Sequence, residues 1–100
     1  MTMSVPTGRS EKRIARAAAV EICLQDEPML KEGASTENVS AHGARVLMKR
    51  QLRPGQQVLV TCPQEGVRSP ARIVYCHNLG GPTFAVGLEL SGRVDWARPY

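Results

Sequence analysis

Aromatic rings are scarce in this chain: one Phe, one Trp and two Tyr make up 4% of 100 residues. A platform for single-stranded nucleic acid stacks successive bases on several exposed rings, so neither RNA nor DNA is the expected partner. Long apolar runs are also missing. The best candidate, A-A-A-V-E-I-C-L, is interrupted by Glu21 and falls far short of the roughly 20 residues a membrane helix requires. The first residues, M-T-M-S-V-P-T-G, lack the charged-then-apolar order of a signal peptide. A cytoplasmic protein with no membrane insertion is expected. Cysteine is sparse and odd in number: Cys23, Cys62 and Cys76 contain no C-x-x-C pair, which argues against a disulfide framework and against a zinc site. Buried free thiols acting as small hydrophobes are the expectation, with no cofactor and no metal.

What is present is ordinary in amount and uneven in placement. Hydrophobic residues make up 42% and charged ones 22%, enough for a single domain with one modest core. The formal net charge is +4, and the segment R-S-E-K-R-I-A-R (9–16) sets Arg9, Lys12, Arg13 and Arg16 against one acid, Glu11. Ten of the thirteen basic residues are arginine, whose planar fork matches phosphates and guanine edges where lysine offers a point charge. A nucleotide or another anion is the natural class of partner; a solvated basic face is the plain alternative.

The periodicity is that of strands. Ala18, Val20, Ile22 and Leu24 alternate with Ala19, Glu21 and Cys23, the two-residue period of a half-buried strand. Residues 25–33 hold turn formers and predict a loop pinned by Met29 and Leu30, followed by a short polar strand over 33–38. A-R-V-L-M-K (44–49) is a second clear strand. L-R-P-G (52–55) is a turn, since proline presets one angle and glycine accepts the other. Q-Q-V-L-V-T-C follows as a third clear strand, and P-Q-E-G turns the chain again. Residues 67–77 predict a longer strand in which Pro70 marks an edge or a bulge. After the loop N-L-G-G-P, Phe84, Val86, Leu88 and Leu90 face inward against Thr83, Ala85, Gly87 and Glu89. About six short strands punctuated by Gly and Pro point to an all-β barrel. Trp96, in the tail S-G-R-V-D-W-A-R-P-Y, is expected to plug a barrel end.

The joint N-V-S-A-H-G (38–43) carries an amide, a hydroxyl and a glycine at fixed offsets. Residues two apart on a strand face the same way, so Asn38 and Ser40 form a polar shelf. Gly43 permits a left-handed or closely approached backbone. Such a shelf suits the Watson–Crick edge of guanine, whose other edge is the preferred target of arginine. The alternative is that Asn38 and Ser40 close a turn through bonds to the backbone. Catalysis is not expected. Cys76 and His77 are adjacent and point to opposite faces of a strand, and no carboxylate pair accompanies them. His42 reads as a turn residue.

R-S-E-K-R followed by I-A-R-A-A-A-V-E-I resembles the R-x-x-x-R motif and first strand of the PilZ domain family. N-V-S-A-H-G matches that family's second signature, [D/N]-x-S-x-x-G. G-A-R-V, L-R-P-G-Q-Q-V-L-V, A-R-I-V-Y and F-A-V-G-L-E-L also fit, so the resemblance covers about residues 9–90. Either motif alone is short and common; their order, within a β pattern, is specific. The resemblance implies an all-β, six-stranded antiparallel split barrel (9–91) with a flexible N-terminal tail (1–8) and a short C-terminal tail (92–100) packed on the barrel. It implies a stand-alone receptor for the bacterial second messenger cyclic di-GMP that signals to an effector protein in trans. Arg9 and Arg13 are then the clamp on guanine and phosphate, Asn38 and Ser40 bond a guanine edge or phosphate, and Gly43 gives clearance. Lys12 and Arg16 are also four apart. The pair Arg9 and Arg13 is preferred because Arg13 then stands seven positions before Val20, the family's usual offset. Arg16 and Lys12 are possible additional contacts, as is Gly8, the residue before the first arginine, on which ligand stoichiometry depends in this family. A ligand-independent adaptor is the alternative function.

Overall fold

The computed structural model describes residues 13–27 and 29–96. Among the described residues seven strands follow one another: β1 (Ile14–Ala15), β2 (Ala19–Leu24), β3 (Lys31–Ser40), β4 (Gly43–Met48), β5 (Gln57–Cys62), β6 (Val67–Asn78) and β7 (Phe84–Leu90). A 3₁₀ turn, Pro63–Glu65, joins β5 to β6 and ends at Gly66 in the left-handed region, φ 68°. Among the described residues no helix is long and apolar enough to cross a membrane.

All pairings are antiparallel. Six strands close in the order β3-β2-β5-β6-β7-β4, with β4 returning to β3, and β1 adds to β3 as an extra strand. The expected six-stranded barrel is therefore present, with β1 formed inside the basic segment. Closure leaves no free edge around the ring, which removes the hazard of an unpaired strand. Inside lie the alternating apolar residues: Ile22, Val39, Val46, Val60, Ile73 and Val86 are each 1% exposed or less. Burying a side chain of this size contributes about 1.5–3 kcal/mol, so these six carry much of the fold. Phe84 is half-buried against the same core, and Trp96 is buried in it.

β3 is longer than the polar run predicts because it serves two partners along one side. Its first half pairs with β2, from Cys23↔Lys31 to Ala19↔Ser35. Its last residues pair with β1, Ile14↔Val39 and Ala15↔Asn38. Between them the chain at 16–18 leaves the ladder, and Thr36 repairs the gap. Its buried hydroxyl accepts the Ala18 N–H at 2.8 Å and donates to the Arg16 carbonyl at 2.6 Å.

Two bulges break the alternation of the barrel. On β3 the register passes from Thr36↔Val46 to Asn38↔Arg45, which leaves Glu37 as the extra residue. On β6 it passes from Ile73↔Leu88 to Tyr75↔Gly87, which leaves Val74 extra. A bulge turns two successive side chains to one side of the sheet. Thr36 and Val39 are buried while Glu37 is exposed and Asn38 half-buried, so Glu37 and Asn38 both face outward. Strict alternation from Thr36 would have driven Asn38 and Ser40 into the core. Pro70 pairs with Leu59 in the part of β6 that β7 does not reach, where β7 pairing begins only at Ala71↔Leu90.

Two expectations require correction. Met29 pins nothing: it is 95% exposed, and Leu30 alone of the pair packs against the core. The Leu30 N–H bonds the Glu27 carbonyl at 2.8 Å, and the chain seats Leu30 on the core while Met29 stays in solvent. Of the cysteines only Cys62 is buried, its thiol 3.3 Å from the Ala19 carbonyl; Cys23 and Cys76 are half-buried.

Candidate functional site

The β3–β4 hairpin turns on two residues, Ala41 and His42, between the paired Ser40 and Gly43. Two rungs of this hairpin, Asn38↔Arg45 and Ser40↔Gly43, form an outward tile of four positions. Asn38 and Ser40 share a side by strand alternation, as do Gly43 and Arg45. The register of β1 against β3 sets Arg13, one residue before Ile14, across from Ser40. Its guanidinium lies over the tile and donates from Nη1 to Asn38 Oδ1 at 2.7 Å.

Gly43 does not take a left-handed backbone; its role is close approach. A Cβ built there would stand 3.2 Å from the Leu88 carbonyl oxygen, 3.4 Å from Ser40 Oγ and 3.6 Å from Arg13 Nη2. A side chain at this point would therefore press on both the hydroxyl and the arginine. Ser40 is 4% exposed despite its outward side, and its Oγ stands 3.5 Å from the Gly43 carbonyl. The turn is fixed from behind by the last residue of β7 and the segment that follows it. Leu90 N–H bonds the His42 carbonyl at 2.9 Å, Val94 N–H bonds the Ala41 carbonyl at 2.7 Å, and the Trp96 indole N–H bonds the Ser40 carbonyl at 2.9 Å. Three successive carbonyls of the hairpin are thus held by one strap.

Four of the expected residues, Arg13, Asn38, Ser40 and Gly43, meet at this tile. Arg9, Lys12 and Gly8 lie outside the described residues. Arg16 turns elsewhere: its Nε bonds Glu65 Oε2 at 2.8 Å, on the turn between β5 and β6. His42 is exposed at the hairpin turn.

The fourth corner, Arg45, was not singled out by its motif, although its spacing of two from Gly43 on a strand is legible. Its Nε donates to Glu37 Oε1 at 2.6 Å and its Nη1 to Tyr75 Oη at 3.0 Å. The guanidinium carbon sits 5.8 Å from the centre of the Tyr75 ring, within cation–π range. The hydrogen bond to Glu37, and then that to Tyr75, hold Arg45 above the ordinary arginine range, so its charge is fixed at any working pH. Tyr75 stacks on His77 with ring centres 4.6 Å apart and lies over Gly87, where any added Cβ would overlap the ring. The row Asn38, Arg45, Gly87, Tyr75 crosses four strands and is bounded by the two bulges. The outer face there offers two arginine forks, an amide, a hydroxyl, a clearance made by glycine and a flat ring. That set suits a planar, phosphate-bearing ligand.

Comparison with protein families agrees with the geometry: the sequence model of the PilZ domain matches residues 7–95. No curated protein matches the chain.

Proposed function

The chain belongs to the PilZ domain family, and from that premise we propose that it binds cyclic di-GMP and passes the signal to a partner protein. The ligand seats on the outer tile, with Arg13, Asn38, Ser40 and Gly43 beneath it and Arg9 completing the clamp. Lys12 and Gly8, on the same segment as Arg9, border the ligand in this reading, and Arg16 joins them only by exchanging its Glu65 partner for the ligand. The protein works in the cytoplasm, as a binding module and not a catalyst.

The contact between Arg13 and Asn38 carries this reading. It joins the two signature motifs, 25 positions apart, by a charged hydrogen bond of 2.7 Å. An amide that already orients the arginine lowers the cost of ordering it when a ligand arrives. The guanidinium then exchanges part of its bond to Asn38 for bonds to phosphate or to the O6 and N7 edge of guanine, where two parallel donors fit two acceptors. Ser40 both donates and accepts, so it serves either a phosphate oxygen or a base amino group. Ligand contacts made only in the closed arrangement supply the differential affinity that shifts the population of the basic segment and remakes a surface for the partner.

Titration calorimetry with cyclic di-GMP, beside GMP and the variant Arg13→Ala, tests the reading. Saturable binding that weakens at least about a hundredfold in the variant is the expected outcome, since one arginine makes more than one charged hydrogen bond. Absence of heat in the native protein would leave the ligand-independent adaptor as the function.

A further inference from the structure

We propose that Arg45 is a second phosphate fork of the binding face and that Glu37 is its internal competitor. The inference rests on the cyclic di-GMP reading. Of the four positions of the tile, three belong to the signature motif and Arg45 is the fourth, directly across from Asn38. Its side chain is 30% exposed, so an oxygen arriving at the tile can reach it.

The guanidinium is also oriented in advance. Glu37 takes its Nε and Tyr75 its Nη1, and the Tyr75 ring lies within cation–π range. Both holders stand where they do because of a bulge: Glu37 is the extra residue of β3, and Tyr75 follows the extra residue of β6. A ligand with two phosphates carries more acceptors than the Arg13 fork can satisfy. Arg45 supplies donors of the same geometry at the neighbouring rung.

Glu37 opposes that contact twice. Its carboxylate occupies the Nε that a phosphate oxygen would take, and its charge repels the same phosphate. With the carboxylate 47% exposed, the pair is of the weak surface kind, so an anion with better geometry displaces it. Glu37 thereby sets a threshold: a ligand gains Arg45 only if it brings an anion to replace the carboxylate. Neutral nucleosides fail that condition.

The test is titration of the full chain with cyclic di-GMP in four forms, native, Glu37→Gln, Arg45→Gln and Arg45→Lys, with the Arg45 Nε–H signal of the native protein followed by NMR. The same signal is followed with GMP and with inorganic pyrophosphate. Removal of the Glu37 charge is expected to tighten binding about three- to tenfold, and loss of the Arg45 fork to weaken it about tenfold. Arg45→Lys should recover only part, because it keeps the charge without the planar fork. A purely structural role for the pair predicts that both variants weaken binding or that neither does, and either result overturns the inference while the receptor reading stands. Should cyclic di-GMP fail to bind while the Arg45 signal moves with GMP or pyrophosphate, the receptor reading falls and the anion fork survives. A signal unmoved by all three probes rejects the anion fork, and the receptor reading falls with it only if cyclic di-GMP also gives no saturable binding.

Discussion

At Thr36 one hydroxyl closes the gap that the chain opens between β1 and β2. It takes the Ala18 N–H in a buried bond and gives its proton to the partly buried Arg16 carbonyl. Thr36→Val keeps the shape and deletes both bonds, so it should lower stability by about 1–3 kcal/mol in urea unfolding. Thr36→Ser should restore most of that loss; if serine and valine cost the same, packing of the methyl group and not the hydroxyl is the cause. Gly43 makes the complementary case, a position defined by what must be absent. An alanine there meets the Leu88 carbonyl oxygen at 3.2 Å and crowds Ser40 Oγ and Arg13 Nη2. Gly43→Ala should destabilise by about 1–2 kcal/mol through overpacking, and it should weaken cyclic di-GMP more than it weakens the fold. Denaturation and titration of the same preparation separate the two effects, and equal losses in both would remove Gly43 from the site.

At the scale of elements, the strands with a clean apolar alternation were legible in the sequence. Val20, Ile22 and Leu24 on β2, and Val86, Leu88 and Leu90 on β7, face inward as their period requires. β3 was harder because K-E-G-A-S-T-E-N-V-S has almost no apolar signal, and its full length appears only when β1, β2 and β4 are seen to share it. The bulges left no trace in the pattern, since an inserted residue breaks the period that would reveal it. They decide which side Asn38 and Tyr75 present. That Arg13 and Asn38 serve one face was implied by the PilZ resemblance alone; their direct contact depends on the register of β1 against β3, which neither motif shows. Arg45 went unread as a site residue since its alternation from Gly43 gives its side but not its neighbours. The strap over 90–96 is a further element effect. Trp96 donates to the carbonyl of Ser40, the residue whose hydroxyl lies in the tile, and it is the one tryptophan of the chain. Its emission should therefore shift when cyclic di-GMP binds, and Trp96→Phe should cost about 0.5–1.5 kcal/mol by removing that hydrogen bond. A spectrum indifferent to saturating ligand would mean that the hairpin carbonyls do not move with the site.

For the whole molecule, the closed ring makes local binding a global matter. Six strands share one core and each is paired on both sides, so no strand can leave without opening two ladders. A domain of this size built in this way unfolds in a single cooperative step. A ligand that binds the folded face alone then stabilises the entire barrel by RT ln(1 + [L]/Kd), about 2.7 kcal/mol at a hundredfold excess over Kd. One kcal/mol shifts the melting temperature of a chain this long by about 4–8 °C, so scanning calorimetry should show a rise of about 10–20 °C with cyclic di-GMP. The Arg13→Ala variant should melt close to the native protein in the absence of ligand, because its bond to Asn38 is exposed and contributes little to folding. With ligand the variant should rise by no more than about 2–3 °C at the same concentration, because a hundredfold loss of affinity leaves at most about 0.4 kcal/mol. Two departures would each teach something definite. A native transition that splits in two on adding ligand would show that the face carrying Arg13 and Asn38 melts apart from the rest of the ring. A variant that gains as much as the native protein would place the ligand on another face of the barrel and leave the tile as a turn device.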